Sequence, residues 1–461
     1  MYIESASRST NFKMVSFVQD VFNEISLERD PELWQSADDR KNLHRIHFLS
    51  EFEETRFRQQ LESCCSPALA KNSKLSQAFR LKADKVENQT EKLTLLNKAA
   101  DFATDAEFVS ILRSRSQVLS RLKKHSLVVA DVDYLKESFQ TSGDIELEYL
   151  KHKSLSQILH QGKKPLQTPH ADKLFTDKKV HDLEKLNHDL TQQVAKNESY
   201  AGLPFTETNK EHPNFAAFVG VERTQRQGRF TVALRDIQPG EVLAIDRPTI
   251  TFLDKDHIKT NCWHCLRDCR WNPYPCSSCS GVIFCSLGCK SQSQSSYHPY
   301  ECGRTDLLYK SSIEVWILAM RMVASKPANF FVDHSVDDII AAAAAASLDN
   351  EEDGLRRTVM MESHPGSPRF SAPELMKEAL VAVFITRYLT SSQYFGKRED
   401  TTAAGFDDRQ MKVAAWLHHL MRVARFNSHE VTQKQDDHRT KRIGVATNPQ
   451  LALVSLNIVT L

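Results

Sequence analysis

The chain has 461 residues, with 60 Lys and Arg against 59 Asp and Glu, so its formal net charge is only +1. That balance excludes a whole-chain polyanion binder and a solvating acidic tail. Hydrophobic residues at 41%, with only 14 Gly and 16 Pro, exclude broad disorder and favour a helix-rich chain of roughly two to four domains.

Glu4, Arg8 and Lys13 open the chain with no apolar stretch behind them, which argues against a secretory leader. The longest uncharged apolar run, Ile339 to Leu348, is about half of the roughly 20 residues that span a bilayer. The expectation is an intracellular protein, cytoplasmic and nuclear, with no membrane partner.

Residues 1–150 are expected to be helical. Within 75–139, Phe79, Ala83 and Val86 mark one apolar face, and Leu95, Leu96, Ala99 and Phe102 mark the next. Val109, Leu112, Leu119 and Leu122 continue the pattern, followed by Val129, Val132 and Leu135. Breaks are expected at Asn88-Gln89 and near Lys123-Lys124. Residues 151–179 hold seven lysines against two acids, with Pro165 and Pro169, so 151–215 reads as a basic flexible linker. Without interleaved aromatics or arginines this stretch does not read as a nucleic-acid patch.

Residues 216–255 read as β structure. Phe230, Val232 and Leu234 alternate with polar or small residues, and Pro239-Gly240 is a turn dipeptide. Val242–Ile245 and Thr249–Leu253 continue in strand-like runs, which predicts a hairpin or short meander within 229–253.

Residues 256–303 carry the strongest signal. Of ten cysteines, Cys64 and Cys65 stand apart and the other eight lie between Cys262 and Cys302. Such crowding without an export signal points to metal rather than disulfides. The spacing gives four ligand pairs: Cys262-x2-Cys265, Cys276-x2-Cys279, Cys285-x3-Cys289 and His298-x3-Cys302. Zinc takes four N or S ligands in a closed structural site, so eight ligands predict two Zn2+ ions. A window this short lacks a hydrophobic core of its own, so metal must supply folding energy. Cys269 falls outside the pairing and is read as a non-ligand, and His264 as a bystander. Spacing alone leaves open which pairs share an ion.

Residues 304–425 read as helical. Leu375, Met376, Ala379, Leu380, Val383, Phe384, Arg387 and Tyr388 form a stripe behind a capping box, Ser371-x-x-Glu374. Val413, Leu417, Leu420, Met421 and Ala424 mark another helix. The six-alanine run within Ile339–Leu348 reads as helix or filler, and Asp349–Asp353 as a solvated loop. His418-His419 has no second ligand pair nearby, so a surface or packing role is expected rather than metal binding.

The cysteine spacing resembles the MYND zinc finger, an interaction module. That resemblance implies interleaved pairs: Cys262, Cys265, Cys285 and Cys289 on one zinc, and Cys276, Cys279, His298 and Cys302 on the other. It also implies a short helix under the last pairs. Gly228-Arg229, Ala233, Asp236-Ile237 and Pro239-Gly240-Glu241 resemble the opening of a SET domain, whose first loop cradles S-adenosylmethionine. Gln227, Gly228 and Arg229 occupy that loop. A SET opening followed directly by a MYND finger resembles the SET- and MYND-domain lysine methyltransferase family. The family carries a helical insert and then an Asn that contacts the cofactor; Asn427, in Arg425-Phe426-Asn427-Ser428, matches it, and can also cap its helix. Helices in 75–139 resemble tetratricopeptide hairpins, which one branch of the family carries.

The resemblance implies a helix-rich α+β fold. A tetratricopeptide-like N-terminal region would precede a split SET domain with an inserted MYND finger and a helical insert. Residues 426–461 would begin the second SET part. The implied chemistry is methyl transfer from S-adenosylmethionine to a protein lysine, with protein substrates or peptides meeting the finger and helical region. The family continues through segments like Ile443-Gly444 and Pro449–Val454 into an Asn-His-Ser-Cys motif and a later catalytic tyrosine. Here Val454-Ser455-Leu456-Asn457 stands instead. The expectation is a C-terminally truncated, catalytically incomplete chain with no catalytic residue assigned; the alternative is a zinc-dependent interaction adaptor.

Overall fold

A computed structural model of the chain describes residues 46–47, 49–50, 70–139, 143–160, 169–198, 207–224, 228–245, 248–310, 314–334, 336, 372–396, 405–434, 440–447 and 459–460. Cys64, Cys65, Gln227, the alanine run, Asp349–Asp353 and Ser371 of the expected capping box lie outside these residues.

Local signals start the N-terminal helices. Asn72 and Asn88 accept backbone N–H bonds at the heads of α1 (Ser73–Asp84) and α2 (Gln89–Phe102). A break at Ala103-Thr104, which the apolar stripe hides, precedes α3 (Asp105–Arg121), where Glu107 accepts from the Thr104 N–H at 3.1 Å. Lys123, at a φ of 58°, turns the chain into α4 (His125–Phe139). Asp144 caps α5 (Ile145–Leu159), and α6 (Pro169–Thr176) and α7 (Val180–Glu198) follow.

Among the described residues of 151–215, those to Leu159 and most of 169–198 are helical rather than the flexible linker that the lysines and prolines predict. Leu155, Ala171, Leu174 and Leu183 are buried, so an apolar stripe runs beneath the charge. Lys151 itself lies against Asp133 at 2.5 Å. Pro169 is the first residue of its helix, where a missing N–H costs nothing.

Strand β1 (Val219–Thr224) pairs antiparallel with β2 (Gly228–Ala233), from Val219↔Ala233 to Thr224↔Gly228. The hairpin thus lies upstream of the one expected within 229–253. Arg235 forks onto Glu241 at 2.7 and 3.0 Å, and Gly240 takes a φ of +92°. Residues 235–241 therefore close a local loop instead of a strand turn. Among the described residues, Val242–Ile245 makes one isolated bridge, Phe215↔Ala244, and belongs to no strand. Strand β3 (Ile250–Leu253) is buried along its whole length and pairs far away in sequence.

The finger segment contains a two-stranded ribbon, β4 (Tyr274–Pro275) and β5 (Ile283–Phe284), then α8 (Leu287–Gln294) and α9 (His298–Glu301). Helices α10 (Thr305–Lys310), α11 (Glu314–Ala324), α12 (Ala328–Asp333), α13 (Ala372–Ser391) and α14 (Asp408–Asn427) follow. Helix α14 packs on α11, α12 and α13. The predicted apolar residues of α13 and α14 are buried, with Arg387 alone half-buried. Strands β6 (Ser428–Lys434), β7 (Thr440–Thr447) and β8 (Val459–Thr460) complete a sheet of order β3-β7-β6-β8, with only β6 and β8 parallel.

These elements divide into two compact units. One comprises Leu69–Thr206 and His257–Ser291; the other comprises Met1–Ala68, Glu207–Asp256 and Gln292–Leu461. In the first, Tyr274 of the ribbon is part of the same apolar core as α1 to α5. Among the described residues, no helix is long and apolar enough to cross a membrane.

Candidate metal centre

The first knuckle is shaped by its backbone. The Cys262 N–H donates to the Arg267 carbonyl at 2.8 Å, and the Leu266 N–H donates back to Cys262 at 3.0 Å. Leu266 adopts a φ of 64°, and the Asn261 amide holds its carbonyl at 2.8 Å. This tight turn points Cys262 and Cys265 the same way. Strand β5 delivers Cys285, and Ser286 starts α8 by accepting the Cys289 N–H at 3.1 Å. One helical turn then separates Cys285 from Cys289.

The ligand atoms of Cys262, Cys265, Cys285 and Cys289 all lie within 4.8 Å of one another. Those of Cys276, Cys279, His298 and Cys302 form a second such group. The structure thus brings the pairs together in the interleaved order. Cys265 Sγ is 3.5 Å from Cys285 Sγ, which is 3.6 Å from Cys289 Sγ. Four sulfurs placed tetrahedrally at a Zn–S bond of about 2.3 Å would be about 3.8 Å apart. A disulfide would need about 2.05 Å, so the spacing fits a shared ion and not a covalent bridge. Four thiolates in one group, and three thiolates with one imidazole in the other, are donor sets of structural zinc. Both groups could hold zinc.

Proton sharing within the first group is strained in one direction. S–H bonds from Cys262, Cys265 and Cys285 hold Cys289 well below the ordinary thiol range, while burial pushes Cys262 up. A bound dication would replace those shared protons, because metal ligands must be thiolates. Cys269 lies outside both groups, and burial pushes its thiol up. His264 also lies outside both groups.

Several supporting residues escaped the sequence reading. Helix α9 carries His298 and leads to Cys302, and Glu301 between them is fully buried. Arg321 of α11 forks onto Glu301 at 2.7 and 2.9 Å and reaches the Thr251 carbonyl. The same guanidinium lies 4.3 Å from the Tyr297 ring centre. A charged residue interrupting an apolar helix such as α11 is the signal that could have found Arg321.

Of the residues expected at the cofactor, Gly228, Arg229 and Asn427 lie within the described residues and Gln227 outside them. Gly228 and Arg229 begin β2, opposite Thr224 and Arg223. Asn427 ends α14 buried, its Nδ2 donating to the Val423 carbonyl at 2.6 Å, which is the helix-capping role. His418 and His419 are buried rather than at the surface; His418 Nε2 sits 3.4 Å from the Leu375 carbonyl, and His419 packs edge-on to Trp416.

No family model matches the chain, and no solved structure matches it. Over 212 residues it is 27% identical to the protein-lysine N-methyltransferase SMYD4 of Pongo abelii, covering 42% of this chain and 25% of that protein. The match to SMYD4 of Homo sapiens has the same identity and coverage. A SET and MYND domain-containing protein of Dictyostelium discoideum is 30% identical over 95 residues, 19% of this chain and 23% of its own length. The chain spans about a quarter of the length of the curated relatives it matches. The chain is thus similar, over part of its length, to SMYD4 and to SET and MYND domain-containing proteins, and it carries two Cys/His quartets in the spacing of a MYND finger.

Proposed function

We propose that the chain serves protein-lysine N-methylation with S-adenosylmethionine as methyl donor, and that its finger holds two structural Zn2+ ions. The carrying observation is the pair of interleaved quartets in a chain whose relatives are named lysine methyltransferases. In this reading the helices of residues 75–139 are a tetratricopeptide-like platform. Strands β1 to β3 and β6 to β8 are the two parts of a SET domain, interrupted by the finger and by α10 to α14. Protein substrates or peptides meet the finger and the platform, in cytoplasm and nucleus. Gln227, Gly228, Arg229 and Asn427 are the groups offered to the cofactor. They cover part of what the reaction needs, so these 461 residues by themselves form an incomplete catalyst.

The second reading is a zinc-dependent adaptor that binds protein without turnover. It is favoured by one observation: finger residues 257–291 share a unit, and a core, with the helices. Metal analysis and methyl transfer from labelled S-adenosylmethionine separate the two. Two zincs per chain are expected, with weak cofactor binding that Asn427→Ala weakens further, and no transfer by this chain alone. Clear turnover would overturn incompleteness and leave the methyltransferase reading standing. Peptide binding with no cofactor affinity would favour the adaptor, and absence of zinc would overturn both.

A further inference from the structure

We infer that helices α2 to α4 are the outer shell of the finger's metal sites: they hold the knuckles in place, and the zinc ions in turn hold the helices. The inference rests on the two-zinc reading and goes beyond it, because the eight ligands alone would make the finger a free-standing module.

The strong contacts from the helices land close to metal-ligand cysteines. Arg115 of α3 and Asp131 of α4 are both fully buried and pair through two bonds, Nε to Oδ2 at 2.8 Å and Nη2 to Oδ1 at 2.6 Å. Arg115 Nη1 then donates to the Pro273 carbonyl at 2.7 Å, and the Tyr274 hydroxyl donates to Asp131 Oδ1 at 2.9 Å. Tyr274, two residues before Cys276, stacks on Tyr134 of α4 at 4.2 Å. Lys290, next to Cys289, donates to the Tyr134 hydroxyl at 2.9 Å. At the second knuckle, Asp101 of α2 accepts the Gly281 N–H at 2.9 Å, where Gly281 turns with a φ of +89°. Ala70 bridges Cys279 as a strand partner and accepts from the Ser280 hydroxyl at 3.1 Å.

The chemistry is that of an outer shell. Zinc fixes only the ligand atoms, and their orientation depends on what holds the backbone behind them. Here that backing is a buried ion pair, a tyrosine stack and a capped glycine turn, all supplied by the helices. Arg115 and Asp131 are positioning residues, since neither is a ligand. The buried pair also explains itself in this way: an Arg and an Asp in a helical core are expensive unless every polar atom has a partner, and part of the partner set lies in the finger. Without the folded finger, α3 and α4 would bury an under-bonded ion pair, so loss of metal must loosen them.

The test uses the full chain loaded with zinc, its content measured first. Zinc transfer to a chromogenic chelator is followed in the parent, Arg115→Met, Tyr274→Phe and Asp101→Asn chains, with helical content checked by circular dichroism. Release at least tenfold faster in Arg115→Met, and severalfold faster in the milder two, is expected with helicity kept. In the cobalt-substituted chains the visible absorption should also shift. Conversely, stripping zinc from the parent should lower amide-exchange protection across Leu93–Leu135. Parent-like release in the folded variants, or unchanged protection after full zinc loss, would overturn the inference. If Arg115→Met does not fold, the two milder variants and the stripping arm decide. Fewer than two zincs at the outset would instead count against the metal reading itself.

Discussion

Buried charge in this protein is organised as forks. Arg115 with Asp131, and Arg321 with Glu301, are pairs in which both side chains are fully buried and both guanidinium edges are used. Such a pair contributes little against an apolar pair of equal volume, but losing one partner is severe. Glu301→Gln is expected to cost about 3–5 kcal/mol in urea unfolding, because the Arg321 charge stays behind. Pairing Arg321→Met with Glu301→Leu should recover most of that loss, and an additive loss would refute the account. Glu378 behaves differently. Burial raises its carboxyl to about 7, against the opposing pull of Arg425, 2.6 Å away. A raised folded value means the folded chain holds this proton more tightly than the unfolded chain. The stabilisation is therefore complete below the ordinary glutamate value and lost as pH rises toward 7. Glu378→Gln should flatten the fall in melting temperature between about pH 4.5 and 7. An unchanged pH slope would exclude Glu378 as its source.

At the scale of elements, what was legible in the sequence was what repeats locally. Four ligand pairs at fixed spacing marked out the finger, because a knuckle or helical turn needs only neighbouring residues. The apolar stripes of α13 and α14 were legible for the same reason. The sequence misled where a residue type has two uses. Pro169 read as a breaker yet starts a helix, and lysines of α5 and α6 masked the buried Leu155 and Leu174. Strand pairing was not legible at all: β2 joins an upstream strand, and β3 joins one almost at the other end of the chain, and no period encodes that choice. The interior Arg and Asp were visible only as charges in apolar stripes, since their partners are distant. The ligand pairing carries its own prediction. Cys285→Ser should leave one zinc per chain and unfold the first knuckle, as structural zinc contributes apparent energies of about 10–16 kcal/mol in finger peptides. Two zincs retained in that variant would show that Cys285 is not a ligand.

On the scale of the whole molecule, the two units differ in how much chain each must wait for. The unit of N-terminal helices and the first part of the finger draws only on Leu69–Thr206 and His257–Ser291. In the other unit β3 pairs with β7, which begins at Thr440, with finger and helices between. On the ribosome, where chain emerges at about 5–20 residues per second, that gap amounts to roughly 10–40 s. Throughout that interval Ile250–Leu253, buried along its length in the finished fold, has no partner strand, while the helix-and-finger unit already has all its parts. The protein should therefore be born in two acts, and its period of greatest exposure to aggregation should belong to one four-residue strand. Nascent chains stalled just beyond α12 are expected to resist brief proteolysis across the first unit and to be cut near β3. Equal protection of both at that stage would mean that β3 finds another shelter before β7 exists.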